Sequence, residues 1–142
     1  MPKYCYEYPK ADLTVDIILI YNNKLLLIKR KNEPFQNHWA FPGGFIELNE
    51  TLVESAYREL KEETNIDNIK LKQFKTYGNP NRDPRGRTVS IVFYSFIDKL
   101  PKNFKPQDDA IDINFFDLKN LPKLAFDHKK IIDEFIQFYL KN

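Results

Sequence analysis

The sequence predicts a single layered domain of the α/β or α+β class, because strand-like and helix-like segments alternate along it. Its 142 residues suit one domain with a sizeable core. Residues 13–21 form a β-branched, apolar run typical of a buried strand, and residues 127–140 carry apolar side chains at helical spacing. Neither an internal repeat nor a Ser/Gly-rich linker divides the chain, so we expect one domain over residues 1–142.

Turn and breaker residues organise the first third of the chain. Asn22 and Asn23 indicate a hairpin turn after the first strand, and residues 24–31 have the pattern of the returning strand. Residues 32–50 contain prolines and a Gly-Gly pair, so we expect a loop with short extended pieces there.

A helix is predicted over residues 52–64. Thr51 and Glu54 match a capping box at its start, and Asn65 ends it because asparagine tolerates the left-handed conformation. The apolar arc of this helix should pack on a sheet. Three further strands are predicted over residues 69–77, 88–98 and 111–118.

The charge balance and the cysteine content exclude several classes of protein. The 22 Lys and Arg against 20 Asp and Glu give a net charge of +2, which indicates neither nucleic acid nor a membrane surface as a partner. No apolar run approaches the roughly 18 residues of a spanning helix, and the first residues do not resemble a signal peptide. Cys5 is the only cysteine, which excludes an internal disulfide and a Cys-based zinc site, so we expect a cytoplasmic protein.

The central helix carries a crowded acidic face. Glu59, Glu62 and Glu63 are spaced i, i+3 and i+4, so their carboxylates converge, and Glu63 falls at the edge of the apolar arc. Only Arg58 and Lys61 are near in sequence, and Lys61 points to the opposite side. Crowded, dehydrated carboxylates cost several kcal/mol unless a positive charge joins them, and a hard cation such as Mg²⁺ or Mn²⁺ would serve. The alternative is a solvated glutamate run paired with lysines.

Residues 44–66 combine this acidic face with a preceding glycine turn. The run reads Gly44, five residues, Glu50, seven residues, Arg58-Glu59-Leu60, one residue, Glu62-Glu63, one residue, Asn65-Ile66. It resembles the box of the Nudix hydrolase family at every specified spacing. The one departure is Asn65, which replaces the second glycine of the box, and we expect the helix to stop there all the same.

The resemblance implies an α/β/α sandwich with a mixed sheet, which cleaves a nucleoside diphosphate linked to another group and uses Mg²⁺ or Mn²⁺. By family analogy, Glu59 and Glu63 are the main metal ligands, and Glu62 is a further ligand or a water-positioning group. A backbone carbonyl of Gly43 or Gly44 often joins the ligands.

Supporting and catalytic roles follow from the same analogy. Glu50 and Arg58 are expected to pair and to orient the metal ligands. Beside Glu59 and Glu62, the reaction needs a general base, for which Asp109 or its neighbour Asp108 is the candidate. The alternative for these two aspartates is a polar turn.

Segments outside the box look like the ADP-ribose pyrophosphatase branch of this family. They comprise residues 8–16, 29–35, 38–44, 79–87, 108–110 and 124–128. That branch hydrolyses ADP-ribose to AMP and ribose 5-phosphate, which makes a small nucleotide the expected partner.

Two groups of residues are candidates for holding that substrate. The predicted substrate contacts are Arg30, Phe35, Trp39, Arg82, Arg85 and Arg87. The loop arginines could instead bind across a homodimer interface or form a salt-bridged turn with Asp83, and the two aromatic residues could belong to the core.

Two other functions compete with ADP-ribose hydrolysis. One is a MutT-type pyrophosphohydrolase that removes oxidised dNTPs. The other is a nucleotide-sensing module that binds ADP-ribose without turnover. The complete acidic set favours catalysis over sensing.

Overall fold

The computed structural model describes residues 4–102, 104 and 110–140, with a helix on each face of one seven-stranded sheet. In chain order the strands are β1 (Asp12–Tyr21), β2 (Lys24–Arg30), β3 (Trp39–Ala40), β4 (Gly43–Phe45), β5 (Lys72–Tyr77), β6 (Thr88–Ile97) and β7 (Ala110–Asp117). The helices are α1 (Leu52–Thr64) and α2 (His128–Tyr139). The prediction of an α/β/α sandwich is confirmed.

The sheet is mixed, as predicted. Its main order is β3-β2-β1-β6-β5, with β4 paired to β1 and β7 paired to β2. Strands β1 and β6 run parallel along their whole length, and the other pairs are antiparallel. Asn22 and Asn23 form the β1–β2 turn with φ of 54° and 61°, the left-handed values that a tight hairpin needs.

Strand β1 is buried on both sides because alternate residues face different helices. Val15, Ile17 and Leu19 pack in the cluster that contains α1, whereas Ile18 and Ile20 pack in the cluster that contains α2. The fully buried apolar residues of the helices are Ala56 and Leu60 of α1 and Ile131, Ile132 and Phe135 of α2. The apolar arcs predicted for the two helices therefore form the two cores.

Both ends of α1 have the predicted caps. The Glu54 amide donates to the Thr51 hydroxyl (3.2 Å), and the Thr51 amide donates to the Glu54 carboxylate (2.8 Å). Asn65 adopts φ 62° and its N–H donates to the carbonyl of Lys61, so asparagine replaces glycine without loss of the helix stop.

Most predicted boundaries agree with the structure to within one residue, and β5 is the exception. The predicted strand over 69–77 begins only at Lys72, because the Leu71 amide donates to the Tyr57 hydroxyl of α1 (2.9 Å). Residues 69–71 therefore pack beside the helix and do not pair with β6. Within the described ranges, the chain has no helix long and apolar enough to cross a membrane.

We expect the capping box to stabilise the fold measurably. Thr51→Ala should lower the free energy of unfolding by about 1 kcal/mol, because the Glu54 amide loses its acceptor. Thr51→Ser keeps that acceptor and should stay close to the parent protein. Urea unfolding of the three proteins tests this, and equal midpoints for Thr51→Ala and the parent would contradict it.

Candidate active site

A cleft of about 570 Å³ collects most of the predicted site residues. Its acidic wall consists of Glu59, Glu62 and Glu63 of α1, and its basic wall consists of Arg30 of β2 with Arg82 and Arg85 of the 78–87 loop. Other lining residues are Asp16, Gly43, Gly44, Phe45, Arg58, Asp83, Phe126 and His128. Acidic and basic groups therefore share one cavity, as a metal–phosphate site requires.

A larger depression of about 830 Å³ lies elsewhere, beside the C-terminal half of β6. Residues from 65–72 and 94–102 line it, and none of the predicted site residues is among them. We therefore place the chemistry in the smaller cleft, where the acidic and basic walls meet.

Arg58 links the acidic wall to β4. Its Nε donates to Glu50 (2.7 Å), and one terminal nitrogen donates to both Glu59 (2.7 Å) and Glu62 (3.1 Å). The other terminal nitrogen donates to the Phe45 carbonyl (3.0 Å). Arg58 therefore supplies, within the protein, a positive charge among the carboxylates, the need for which had suggested a hard cation.

The predicted Glu50–Arg58 pair is thus present, and its role in orienting ligands stays a prediction. The hydrogen bond from Arg58 lowers the pKa of Glu50, and the Ser55 hydroxyl contributes a second bond of 2.6 Å. Burial raises the pKa of Glu59, although Arg58 partly opposes that shift.

Glu63 holds the start of β4. Its side chain accepts a hydrogen bond from the Gly43 amide (2.7 Å), and the residue is 8% exposed. The adjacent Gly44 leaves room for Glu59, because a Cβ at Gly44 would lie 2.6 Å from the Glu59 Cδ. Gly44 therefore allows α1 to approach β4 closely.

The oxygen donors of the acidic wall suit a divalent ion, but in the structure they are not gathered around a single point. Among the described residues, no three acidic, histidine or cysteine side chains are gathered for one ion, since Arg58 engages Glu59 and Glu62. Carboxylate oxygens are nonetheless the donors that Mg²⁺ and Mn²⁺ prefer. The Glu62 side chain is 46% exposed, and the Glu59 carboxylate occupies the space that Gly44 leaves.

Two arginines of the basic wall pack on the Phe126 ring. The guanidinium carbons of Arg30 and Arg85 lie 5.0 and 5.5 Å from the centre of its ring. Arg30 also donates to the Pro34 carbonyl (2.8 Å) and forms no ion pair with any residue that the structure describes. Burial, and then the nearby charge of Arg85, lower the pKa of Arg30.

The other loop arginines have distinct contacts. Arg85 forms a bidentate pair with Asp83, the salt-bridged turn considered as an alternative, and still lines the cleft. Arg82 forms a bidentate pair with Asp127 at the start of α2 (2.9 and 2.7 Å). Arg87 donates to the Gly78 carbonyl and is not among the residues that line the cleft.

The two predicted aromatic contacts pack elsewhere. Trp39 lies edge-on against Phe116, 4.7 Å between ring centres, as part of the α2-side core. Phe35 packs against Phe126 at 4.8 Å between ring centres and is not among the residues that line the cleft. The placement of Trp39 favours the core alternative, whereas Phe35 belongs to neither core cluster and its substrate contact stays a prediction. Asp108 and Asp109, the candidate bases, lie outside the described residues.

Sequence reasoning missed the residues at the floor of the cleft. The Ser90 hydroxyl donates to Asp16 Oδ2, and burial raises the pKa of Asp16 to about 6. His128 Nδ1 accepts from the Phe41 amide (3.2 Å), and burial lowers the pKa of His128 to about 3, so the ring is neutral at pH 7. A lone acid in the apolar run 13–21 was the available signal for Asp16.

Comparison with known proteins agrees with this architecture. The chain matches the NUDIX domain family over residues 10–135. An ADP-ribose pyrophosphatase of Methanocaldococcus jannaschii is 48% identical over 131 residues, which are 92% of this chain and 76% of that protein.

Two solved structures are also similar to this chain. The Nudix domain of Shewanella oneidensis NrtR in complex with ADP ribose is 30% identical with a TM-score of 0.84, over 92% of this chain and 89% of that one. A bifunctional NMN adenylyltransferase/ADP ribose pyrophosphatase of Francisella tularensis, complexed with AMP and a manganese ion, is 32% identical with a TM-score of 0.81, over 93% of this chain and 43% of that one. The chain therefore belongs to the NUDIX domain family, and the predicted enzyme class, a Nudix pyrophosphohydrolase, is confirmed.

Proposed function

We propose that the whole chain, residues 1–142, acts as one Nudix domain that hydrolyses ADP-ribose to AMP and ribose 5-phosphate with Mg²⁺ or Mn²⁺. The observation that carries this proposal is the meeting of a carboxylate wall and a guanidinium wall in one cleft. Carboxylates suit a hard cation and guanidinium groups suit phosphate, so together they suit a metal-bound diphosphate.

The acidic wall would hold the metal through Glu59, Glu62 and Glu63, with a carbonyl of Gly43 or Gly44 as a further ligand. A bound divalent ion neutralises phosphate oxygens and lowers the pKa of water. Arg58 keeps Glu59 and Glu62 in place and connects them to Glu50 and β4. Asp109, with Asp108 as its alternative, stays the candidate base.

The basic wall would bind the diphosphate. Arg30 uses Nε on Pro34, which leaves its two terminal nitrogens without a hydrogen-bond partner among the described residues. Arg85 binds Asp83 through Nε and one terminal nitrogen, so its other terminal nitrogen can reach a phosphate oxygen. Arg82 supports this wall by holding the loop to α2 through Asp127.

The similar proteins support the substrate. The Methanocaldococcus relative is an ADP-ribose pyrophosphatase, and the Shewanella domain binds ADP ribose. The Francisella structure contains AMP, one of the proposed products, and manganese. A homodimer and a cytoplasmic location stay predictions.

Product analysis tests the proposal directly. Purified protein with Mg²⁺ should convert ADP-ribose to AMP and ribose 5-phosphate, resolved by ion-exchange chromatography. Faster turnover of 8-oxo-dGTP would favour the MutT-type alternative. Binding of ADP-ribose without hydrolysis, at every Mg²⁺ and Mn²⁺ concentration, would favour the sensing module.

Loss of one acidic charge should impair metal binding without unfolding the protein. Glu63→Gln keeps an oxygen for the Gly43 amide but removes the charge, and we expect kcat to fall at least about 10- to 100-fold. Weaker Mn²⁺ binding by electron paramagnetic resonance should accompany the loss. Glu54→Gln on the same helix is the matched control, since glutamine also serves in a capping box. Equal kcat for Glu63→Gln and the parent would remove Glu63 from the site.

Loss of a guanidinium should weaken substrate binding more than turnover. Arg85→Ala should raise KM about 10-fold or more while kcat changes less, because a charged hydrogen bond to phosphate is removed. Arg85→Lys keeps a charge beside Asp83, so its KM should lie between those of the parent protein and Arg85→Ala. Steady-state kinetics and the thermal midpoint are measured together. Unchanged kinetics in a folded Arg85→Ala protein would mean that Arg85 binds Asp83 and does not bind the substrate.

A further inference from the structure

We propose that Asp16 determines substrate specificity, because its carboxylate oxygen Oδ1 is placed to accept a hydrogen bond from an uncharged N–H or O–H group of the substrate. The inference rests on the proposed function, since it assigns the end of the nucleotide that lies beyond the diphosphate. Neither the Nudix box nor the predicted substrate contacts include Asp16.

The two oxygens of Asp16 have different surroundings. Oδ2 accepts from the Ser90 hydroxyl, whereas Oδ1 has no hydrogen-bond partner among the residues that the structure describes. The residue is 9% exposed and lines the cleft. Since no buried side-chain nitrogen or oxygen of the described residues lacks a hydrogen-bond partner, Oδ1 is accessible from the cleft, and a ligand that supplies a donor there gains affinity.

Two of the polar groups near Asp16 are already engaged or too distant to bind Oδ1. Arg82 gives its Nε and a terminal nitrogen to Asp127. His128 Nε2, which carries the ring proton because Nδ1 accepts from Phe41, is 3.8 Å from Oδ2. Neither group therefore donates a hydrogen bond to Oδ1, and this acceptor stays available to a ligand.

Gly43 leaves room for the Asp16 carboxylate beside β4. The two residues face each other in the β1–β4 pair, and a Cβ at Gly43 would lie 2.6 Å from Oδ1. The next residue, Gly44, leaves the corresponding space beside Glu59. Because successive residues of a strand face opposite sides, β4 separates the Asp16 side of the cleft from the acidic wall.

The surroundings of Asp16 suit a ring-bearing, uncharged part of the ligand. Phe41 stacks on His128 with ring centres 4.3 Å apart, and Phe126 packs 5.5 Å from the same histidine. A carboxylate repels phosphate, so the diphosphate is expected at Arg30 and Arg85 instead. The donor on the ligand is therefore the amino group of the base or a hydroxyl of a ribose.

Binding measurements separate this inference from the proposed reaction. In EDTA, where metal-dependent hydrolysis is suppressed, titration calorimetry gives the Kd of ADP-ribose for the parent protein, Asp16→Asn and Asp16→Ala. We expect about 10- to 100-fold weaker binding for Asp16→Ala, and a similar loss for Asp16→Asn if its amide nitrogen faces the cleft. Asp133→Asn, an exposed acid on α2, is the control with parental affinity.

Substrate analogues identify the donor and exclude a purely structural effect. An analogue with hydrogen in place of the adenine amino group, and analogues that lack single ribose hydroxyls, are compared with ADP-ribose. The parent protein should bind the analogue that lacks the donor about 10- to 100-fold more weakly, and Asp16→Ala should lose this discrimination. A folded Asp16→Ala protein with parental affinity and parental discrimination overturns the inference.

The two proposals fail in different ways. Binding of ADP-ribose that depends on Asp16, without any turnover in Mg²⁺, overturns the hydrolysis but supports the role of Asp16. Turnover of ADP-ribose together with a Kd that is unchanged in the Asp16 variants supports the hydrolysis but overturns the role of Asp16. If the parent protein neither binds nor hydrolyses ADP-ribose, both are overturned.

Discussion

The close approach of α1 to the glycine strand β4 is the contact on which the site depends. Two hydrogen bonds make it, from the Gly43 amide to Glu63 and from Arg58 to the Phe45 carbonyl. A side chain at Gly44 would displace the Glu59 carboxylate, so the helix could not come so near. Because β4 also pairs with β1, the same contact fixes the acidic wall relative to Asp16 at the floor of the cleft.

Much of this arrangement could be predicted from the sequence, because it is local. The capping box, the stop at Asn65 and the buried edge of Glu63 all depend on residues within one helix. Strands β3 and β4 have two and three residues, too few to show a period, and so were predicted only as extended pieces in a loop. The contact between Arg82 and Asp127 spans 45 positions, and no local pattern reports it.

Arg58 changes the physical argument for the metal. Carboxylates at the spacing of Glu59 and Glu62 repel each other, and the sequence suggested a divalent ion as the positive charge that relieves this repulsion. Arg58 relieves it within the protein, at 2.7 and 3.1 Å. A bound ion must therefore exchange with these hydrogen bonds, so its affinity is the difference between two favourable interactions. Such a site binds metal most firmly when a phosphate ligand adds its own oxygens.

The basic wall explains why a diphosphate suits the cleft better than a single phosphate. Arg30 and Arg85 both lie over Phe126, and burial, followed by the like charge of Arg85, lowers the pKa of Arg30. Asp83 compensates the charge of Arg85 only in part, because one terminal nitrogen of Arg85 is not bound to Asp83. Two adjacent phosphates carry charge over a length that both guanidinium groups can share. The proposed diphosphate would relieve the repulsion between these groups along its length, and its other end would then lie on the Asp16 side of β4.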